Sequence, residues 1–382
     1  VPETIVMDGN KAIALGAVHA GCRAYFAYPM SPASTILTNM ANFARKTGML
    51  VKQVEDEISV ASMTIGAMHM GTRALAATSG GGYDLMTETV SLAGMIECPL
   101  VLVVAQRPGP ATGLPTWTCQ SDLNLAIYAS HGEFARAVIA VSDPTDCFDL
   151  IQHAFNIAEK FQSPVIVLTE KNIAETTWTI PMFKQGVIPI ERGLVGAGEL
   201  EKVVSSDRYR LTESGLSKRW LPGSSDAYYY ANSDEHAEDG SVVEDAIPAK
   251  AMMEKRMRKV RLIEEALPEP EVFGVESGAE ISFVGWGGTK NVMLDVVEIM
   301  AEKGVKVNYL HYSYVFPLKR GGAEKFFAEN KKVFLIEGNF NGQFGNLVEN
   351  ELGVKFAGRF LKYDGRPFFV EEVIQFTMIN LQ

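Results

Sequence analysis

Residues 24–40 read AYFAYPMSPASTILTNM. The first four are apolar, as a short buried strand requires. A corner with two prolines and two serines follows. Beyond it Ile36, Leu37, Met40 and Phe43 recur at helical spacing until Gly48, a stop signal. Strand, corner and helix in this order are the unit of a parallel α/β sheet. Ser31 before Pro32 reads as an N-cap with proline at the first helical position. The same geometry has a second reading. Free N–H groups and the positive dipole end make a helix start an anion cradle, and a hydroxyl there can bond a carboxylate.

The alternation runs through residues 1–185. Asp8 is placed to cap a helix in DGNKAIALGAVHAG. The strands MLVKQV, TRALAATS, PLVLVVAQ, RAVIAV and PVIVLTE alternate with helical patterns, and their continuous apolar character fits a sheet covered on both faces. Residues 186–275 read as a linker. It holds an acidic surface excursion at 224–245 and a basic helix with Met253, Met257 and Val260 on one face. Residues 276–382 form a second, smaller α/β unit, starting near Ala279 with AEISFVGWGG. No short repeat marks a solenoid.

Composition narrows the function. The chain has 382 residues, 47% apolar and 21% charged, with net charge −11. That balance argues against a general nucleic-acid or anionic-membrane binder, and no apolar run approaches a membrane span. The opening VPETIVMDGN lacks the n- and h-regions of a secretory signal. Cys22, Cys98, Cys119 and Cys147 are far apart, so neither a zinc site nor a cysteine-held cluster is expected on this chain, which suits a reducing cytoplasm.

Four further features bear on chemistry. In QVEDEISVAS three acids open a helix, and macrodipole complementation accounts for acids there. Glu57 shares its stripe with Val60, Ala61, Thr64 and Met68, so it is a candidate for an acid aimed into apolar surroundings, where its pKa rises. Asp56 also lies over Val60 and Met63, and periodicity alone does not choose between them. In ATSGGGYDLM consecutive glycines after a strand form either a tight turn or a close approach to a ligand. Neither this run nor VGWGGTK matches the dinucleotide or P-loop spacing. Arg107 follows a buried strand at its carboxyl end, where ligands bind in open α/β sheets; there it is either an ion pair or a carboxylate fork. His131, in YASHGEF, is expected to reach the same end of the sheet.

Together these motifs resemble the α subunit of the 2-oxoacid:ferredoxin oxidoreductases. The family's YPITPSS-like corner reads YPMSPAS here, its Q-x-E-D-E helix start QVEDEI, its T-S-G-P-G turn TSGGGYDLM, and its Q-R-G-G-P-S-T-G-L-P-T loop QRPGPATGLPT. SHGEF and FDLIQHAFNIAEKFQSPVIVLTE match as well, so the likeness spans most of residues 5–172. VFLIEGNFNGQFGNLVE is similar to the family's transketolase C-terminal-like domain. The resemblance implies an α/β thiamine diphosphate-binding fold for residues 1–185, holding the aminopyrimidine ring. It implies Glu57 as the catalytic carboxyl that shares a proton with that ring. Pro29, Ser79, Gly80, Gly81 and Gly82 would line the cofactor. Ser31, Arg107, Tyr28, Thr112 and His131 would hold the substrate.

The resemblance implies oxidative decarboxylation of a 2-oxoacid to acyl-CoA and CO2, with electrons passed to ferredoxin. The wording of QVEDEI and SHGEF looks most like the 2-oxoglutarate branch, with pyruvate or a branched-chain 2-oxoacid the alternative. Departures from the family pattern are Ser31 for a more common threonine, Gly81 for proline and Ala111 for serine. No G-D-G…Asn motif for diphosphate and Mg²⁺ is present, nor a cluster-binding cysteine pattern. A β subunit is therefore expected to bring Mg²⁺, the diphosphate contacts and an iron–sulfur cluster, in a dimer of such heteromers. A γ subunit, or a γ domain fused upstream, is also expected, and a start without Met fits a trimmed fusion. Without its partner the chain reads as a non-catalytic interaction module.

Overall fold

The computed structural model describes residues 3–203 and 205–381. Seven strands form the first sheet, in the order Tyr314–Phe316, Ala137–Ala140, Pro164–Glu170, Leu100–Gln106, Ala74–Thr78, Ala24–Ala27, Leu50–Gln53. All neighbours are parallel except the first pair. Leu100–Gln106 and Pro164–Glu170 are buried along their whole length. Helix Gly9–His19 packs on Pro144–Phe161, and Glu57–His69 packs on Gly80–Met95. Asp8 caps the first of these by accepting from the Lys11 N–H at 2.8 Å.

The chain order reverses at Ala24–Ala27. Its next strand, Leu50–Gln53, lies on one side, and the one after, Ala74–Thr78, on the other. In open α/β sheets a crevice for ligands forms outside the carboxyl ends of the strands at such a switch. The corner Tyr28–Ala33 and the turn Ser79–Gly82 emerge there.

The second sheet has the order Gly358–Leu361, Val333–Glu337, Ile281–Trp286, Val307–Tyr312, Glu271–Gly274. Its last strand is antiparallel and lies inside the segment expected as linker, so this unit starts before Ala279. Tyr314–Phe316 departs from its own unit to close the edge of the first sheet beside Ala137–Ala140. The Ala140 N–H donates to Ser313 at 2.7 Å, and Tyr314 and Val315 are buried. An open sheet edge is a liability, and this strand covers it.

The segment at 224–245 differs from a free surface excursion. His236 is buried against Tyr209, ring centroids 4.2 Å apart, and Glu235 takes a two-pronged bond from Arg256 at 2.8 and 2.6 Å. Helix Ala246–Ala266 buries Met252, Lys255, Arg256, Lys259 and Ile263, rather than the face of Met253, Met257 and Val260. Apolar periodicity misses this stripe because its lysines are buried by ion pairing: Glu97 sits between Lys255 and Lys259. A second buried carboxylate, Glu159, holds Arg73 at 2.7 Å, Arg192 at 2.9 Å and Arg219 at 3.5 Å. Arg73 precedes strand Ala74–Thr78, and Glu97 precedes Leu100–Gln106. Both anchors therefore lie at the amino ends of the strands, opposite the switch-point crevice.

Candidate active site

The corner begins differently from the sequence expectation. The helix runs from Ser34 to Thr47, with Ala33 at its N-cap and no side-chain cap, so Ser31 is not the cap and Pro32 is not at its first position. A turn closes instead, with the Ala33 N–H donating to Met30 at 2.9 Å. Buried Asn10 donates to the Pro32 carbonyl at 2.7 Å and to Thr35 Oγ1 at 2.6 Å. Asn10 thereby ties the turn to the first residues of the helix. Ser31 is left exposed. Arg107, at the end of Leu100–Gln106, donates from Nη1 to the Ser31 carbonyl at 2.7 Å. The structure thus brings these two residues together, with Tyr28 half-buried beside the corner.

Asp56 and Glu57 are resolved by the start of helix Glu57–His69. Asp56 is its N-cap, accepting from the Ile58 N–H at 3.1 Å. Glu57 is 2% exposed and faces the start of Gly80–Met95. Its stripe of Val60, Ala61, Thr64 and Met68 is buried. A Cβ on Gly82 would fall 2.0 Å from Thr78 Oγ1 and 2.7 Å from Glu57 Oε1. Glycine is required there for the two helices to approach. Glu57 Oε1 is buried without a hydrogen-bond partner. Burial raises its carboxyl above the ordinary range, against a backbone hydrogen bond, and the Asp56 charge adds to the rise. Gly82→Ala is expected to destabilise the fold by about 1–3 kcal/mol through overpacking, read as a lower urea midpoint.

Ser79 caps Gly80–Met95 without a side-chain bond, and its Oγ is buried and unpartnered. Gly80 is packed against Asp122, whose Oδ2 would lie 2.7 Å from a Cβ there. That oxygen is also buried and unpartnered. Burial, with Asp84 adding and Arg107 opposing, pushes the Asp122 carboxyl up to about 7. Sequence reasoning missed Asp122, because an acid before the short helix Leu123–Tyr128 looks like a cap. It makes no cap bond.

Pro29 and Gly81 are exposed on the rim, as is Thr112 in the loop after Arg107. His131 lies elsewhere. Its carbonyl accepts from Ser91 Oγ at 3.4 Å, roughly 18 Å along the helix from Ser79 at 1.5 Å per residue. It lines a separate cleft with Glu88, Met95 and Arg256. The loop after Ala129 runs back along the helix and away from the strand ends.

Large apolar side chains are exposed on the two helices that carry Glu57 and Gly82. Ile58 is 52% exposed, Met63 37% and Leu85 47%. Among the described residues no helix is long and apolar enough to cross a membrane.

Comparison with known proteins follows the same lines. Residues 15–255 match the family model described as pyruvate flavodoxin/ferredoxin oxidoreductase, thiamine diphosphate-binding. The α subunit of 2-oxoacid:ferredoxin oxidoreductase 1 from Sulfurisphaera tokodaii is 35% identical, over 96% of this chain and 60% of that protein. A solved 2-oxoglutarate:ferredoxin oxidoreductase from Magnetococcus marinus, with 2-oxoglutarate, coenzyme A and succinyl-CoA bound, superposes with TM-score 0.94 and 34% identity, covering 100% of this chain and 66% of that one. A split-gene transketolase, an inactive β4 tetramer, shares the fold at TM-score 0.54 and 10% identity, covering 97% of this chain and 93% of that one. The chain spans about six-tenths of the length of the curated relatives it matches first.

Proposed function

Since the chain belongs to the pyruvate flavodoxin/ferredoxin oxidoreductase family of thiamine diphosphate-binding proteins, we propose that it supplies the pyrimidine-binding half of a 2-oxoacid oxidoreductase site, with 2-oxoglutarate the preferred substrate. One 2-oxoacid and one coenzyme A give an acyl-CoA, CO2 and a proton, and two oxidised ferredoxins each take one electron. The observation that carries the reading is Glu57, a buried carboxyl with an unpaired oxygen, held against a glycine at the topological switch point. The bound 2-oxoglutarate of the Magnetococcus enzyme supports the choice of substrate.

The residues present fit the cofactor. Glu57 Oε1 and Ser79 Oγ are buried without partners, Gly80 and Gly82 let Asp122 and Glu57 pack closely against the helix start, and a Cβ on Gly81 would meet nothing within 4 Å. Glu57, Ser79 and Gly80–Gly82, with Pro29 at the rim, would hold the aminopyrimidine ring. When bound, thiamine diphosphate supplies a carbon nucleophile and an electron sink. The Glu57 carboxyl would share a proton with that ring, and burial shifts it toward its neutral form. Arg107 presents a planar fork to the substrate carboxylate. The Ser31 hydroxyl adds a donor from the opposite lip, and Tyr28 and Thr112 bound the same opening.

The half-site is completed by a β subunit that brings the diphosphate contacts, Mg²⁺ and an iron–sulfur cluster, and exposed Ile58, Met63 and Leu85, on the helices that carry Glu57 and Gly82, offer it apolar surface. The working particle is a dimer of such heteromers, with a γ part attached or fused, in a reducing cytoplasm that suits four free buried thiols.

The test is oxygen-free ferredoxin reduction by the complex. Arg107→Ala is expected to raise KM for 2-oxoglutarate about 30- to 150-fold, the loss of a charged hydrogen bond worth about 2–3 kcal/mol. Ser31→Ala is expected to raise it about fivefold, as for a neutral bond of about 1 kcal/mol. Faster turnover of pyruvate or 2-oxoisovalerate by the wild type would overturn the substrate choice. Decarboxylation by the chain alone, with added cofactor and Mg²⁺, would overturn the half-site.

A further inference from the structure

We infer that the second α/β unit sets the position of the loop that carries Arg107, with Gln120 as the positioning residue. The inference rests on the reading of Arg107 as the clamp for the substrate carboxylate.

Gln120 is buried, and its four polar groups all bond to the second unit. Its Nε2 donates to the Trp286 carbonyl at 2.8 Å, and its Oε1 accepts from the Gly338 N–H at 2.8 Å. Its N–H donates to the Gly338 carbonyl at 2.8 Å, and its carbonyl accepts from Asn339 Nδ2 at 2.8 Å. Next to it Gln343 donates from Nε2 to the Ser121 carbonyl at 2.8 Å and accepts from the Asn124 N–H at 2.8 Å. Buried amides left unpaired are costly, so this set fixes residues 120–124 on the ends of the second sheet.

The hold passes to Arg107 by two routes. The Asp122 N–H donates to Gln106 Oε1 at 3.0 Å, which ties the far end of the loop to the residue before Arg107. On the outer side the Thr118 N–H donates to Gly365 at 3.1 Å, and the Arg366 guanidinium lies 3.3 Å from the Trp117 ring centroid. Gly365 is close-packed there, since a Cβ on it would stand 3.1 Å from Leu114 and 3.2 Å from Trp117. The substrate loop is thus clasped between the strand end that launches it and the second unit. Ordered geometry of this kind bears on substrate capture, since small misplacements of a clamp cost heavily.

The experiment uses the complex with its partner subunit. Gln120→Leu and Arg366→Ala are each expected to raise KM for 2-oxoglutarate about tenfold and to leave kcat within about twofold. On the same samples the Leu114, Trp117 and Thr118 amides are expected to exchange hydrogen at least about tenfold faster, with strand Leu100–Gln106 unchanged. Unchanged exchange refutes the positioning role. Faster exchange with an unmoved KM refutes its link to the substrate, as does a fall in kcat alone. If Gln120→Leu fails to fold, Arg366→Ala, at an exposed side chain, carries both readouts. A wild-type complex inactive on every 2-oxoacid defeats only the functional reading, and exchange still decides whether Gln120 and Arg366 hold the loop.

Discussion

Glu57→Gln is expected to lower kcat of the complex by about 10³-fold, within the 10²–10⁴ range of a positioned general acid–base group. The substitution keeps the shape that fits against Gly82 and removes only the titrating proton. Affinity for thiamine diphosphate, read by fluorescence quenching, is expected to change far less than turnover. Stability should move the other way. Burial raises the Glu57 carboxyl, so folding disfavours its ionised form. That penalty is absent below the ordinary carboxylate range and grows as pH rises through the raised value. At neutral pH the cofactor-free Glu57→Gln chain is therefore expected to melt higher than wild type, with the difference vanishing in acid. Functional sites commonly trade stability for chemistry in this way. A variant that retains full turnover would remove Glu57 from the mechanism, whatever its melting temperature.

The layout of the candidate site was partly legible in the sequence, and the rest was hidden for physical reasons. Glu57 was a candidate because its stripe is apolar, and the structure buries that stripe. Periodicity gave Asp56 an equal claim, because capping depends on backbone direction at one residue, which spacing does not report. Ser31 and Arg107 were placed at strand ends by alternation alone, and they meet there. The cap assigned to Ser31 failed because Asn10, remote in sequence, takes the Pro32 carbonyl. His131 was misplaced because a loop's course depends on what it packs against. Asp122 carries no sequence signal of its own, because its unpaired oxygen meets Gly80 only through the fold. The strand Tyr314–Phe316 was read with its own unit, since its transfer to the other sheet has no local signal. Lys255 and Lys259 counted as polar positions, and only a carboxylate some 160 residues away makes them core.

That carboxylate gives the other large effect. Glu97→Gln is expected to cost about 3–5 kcal/mol of stability, the usual loss when one member of a buried ionic set is removed. Lys255 and Lys259 would remain buried with an amide that cannot neutralise them. Burial alone would raise the Glu97 carboxyl, but Lys259, Lys255 and Arg208 outweigh it and hold it down to about 2. Its contribution is therefore fully present above the ordinary carboxylate range, near 4.5 for the unfolded chain, and is lost as pH falls toward 2. Burial also pulls Lys255 down to about 8 despite the Glu97 charge. Unpaired, that lysine is expected to shed its proton at still lower pH. Urea midpoints at pH 7 and pH 3 should show a wide gap between wild type and variant at pH 7 and a narrower one at pH 3. Replacing Glu97, Lys255 and Lys259 together by methionine should recover most of the loss, because an apolar set of similar volume needs no desolvation of charge. A Glu97→Gln cost under about 1 kcal/mol, the scale of a surface pair, would mean that this helix is held to the first sheet by packing alone. The site itself should be indifferent to the change, since Glu97 lies at the amino end of its strand and Arg107 at the carboxyl end. Turnover of the folded variant complex is expected to match wild type at temperatures well below its melt.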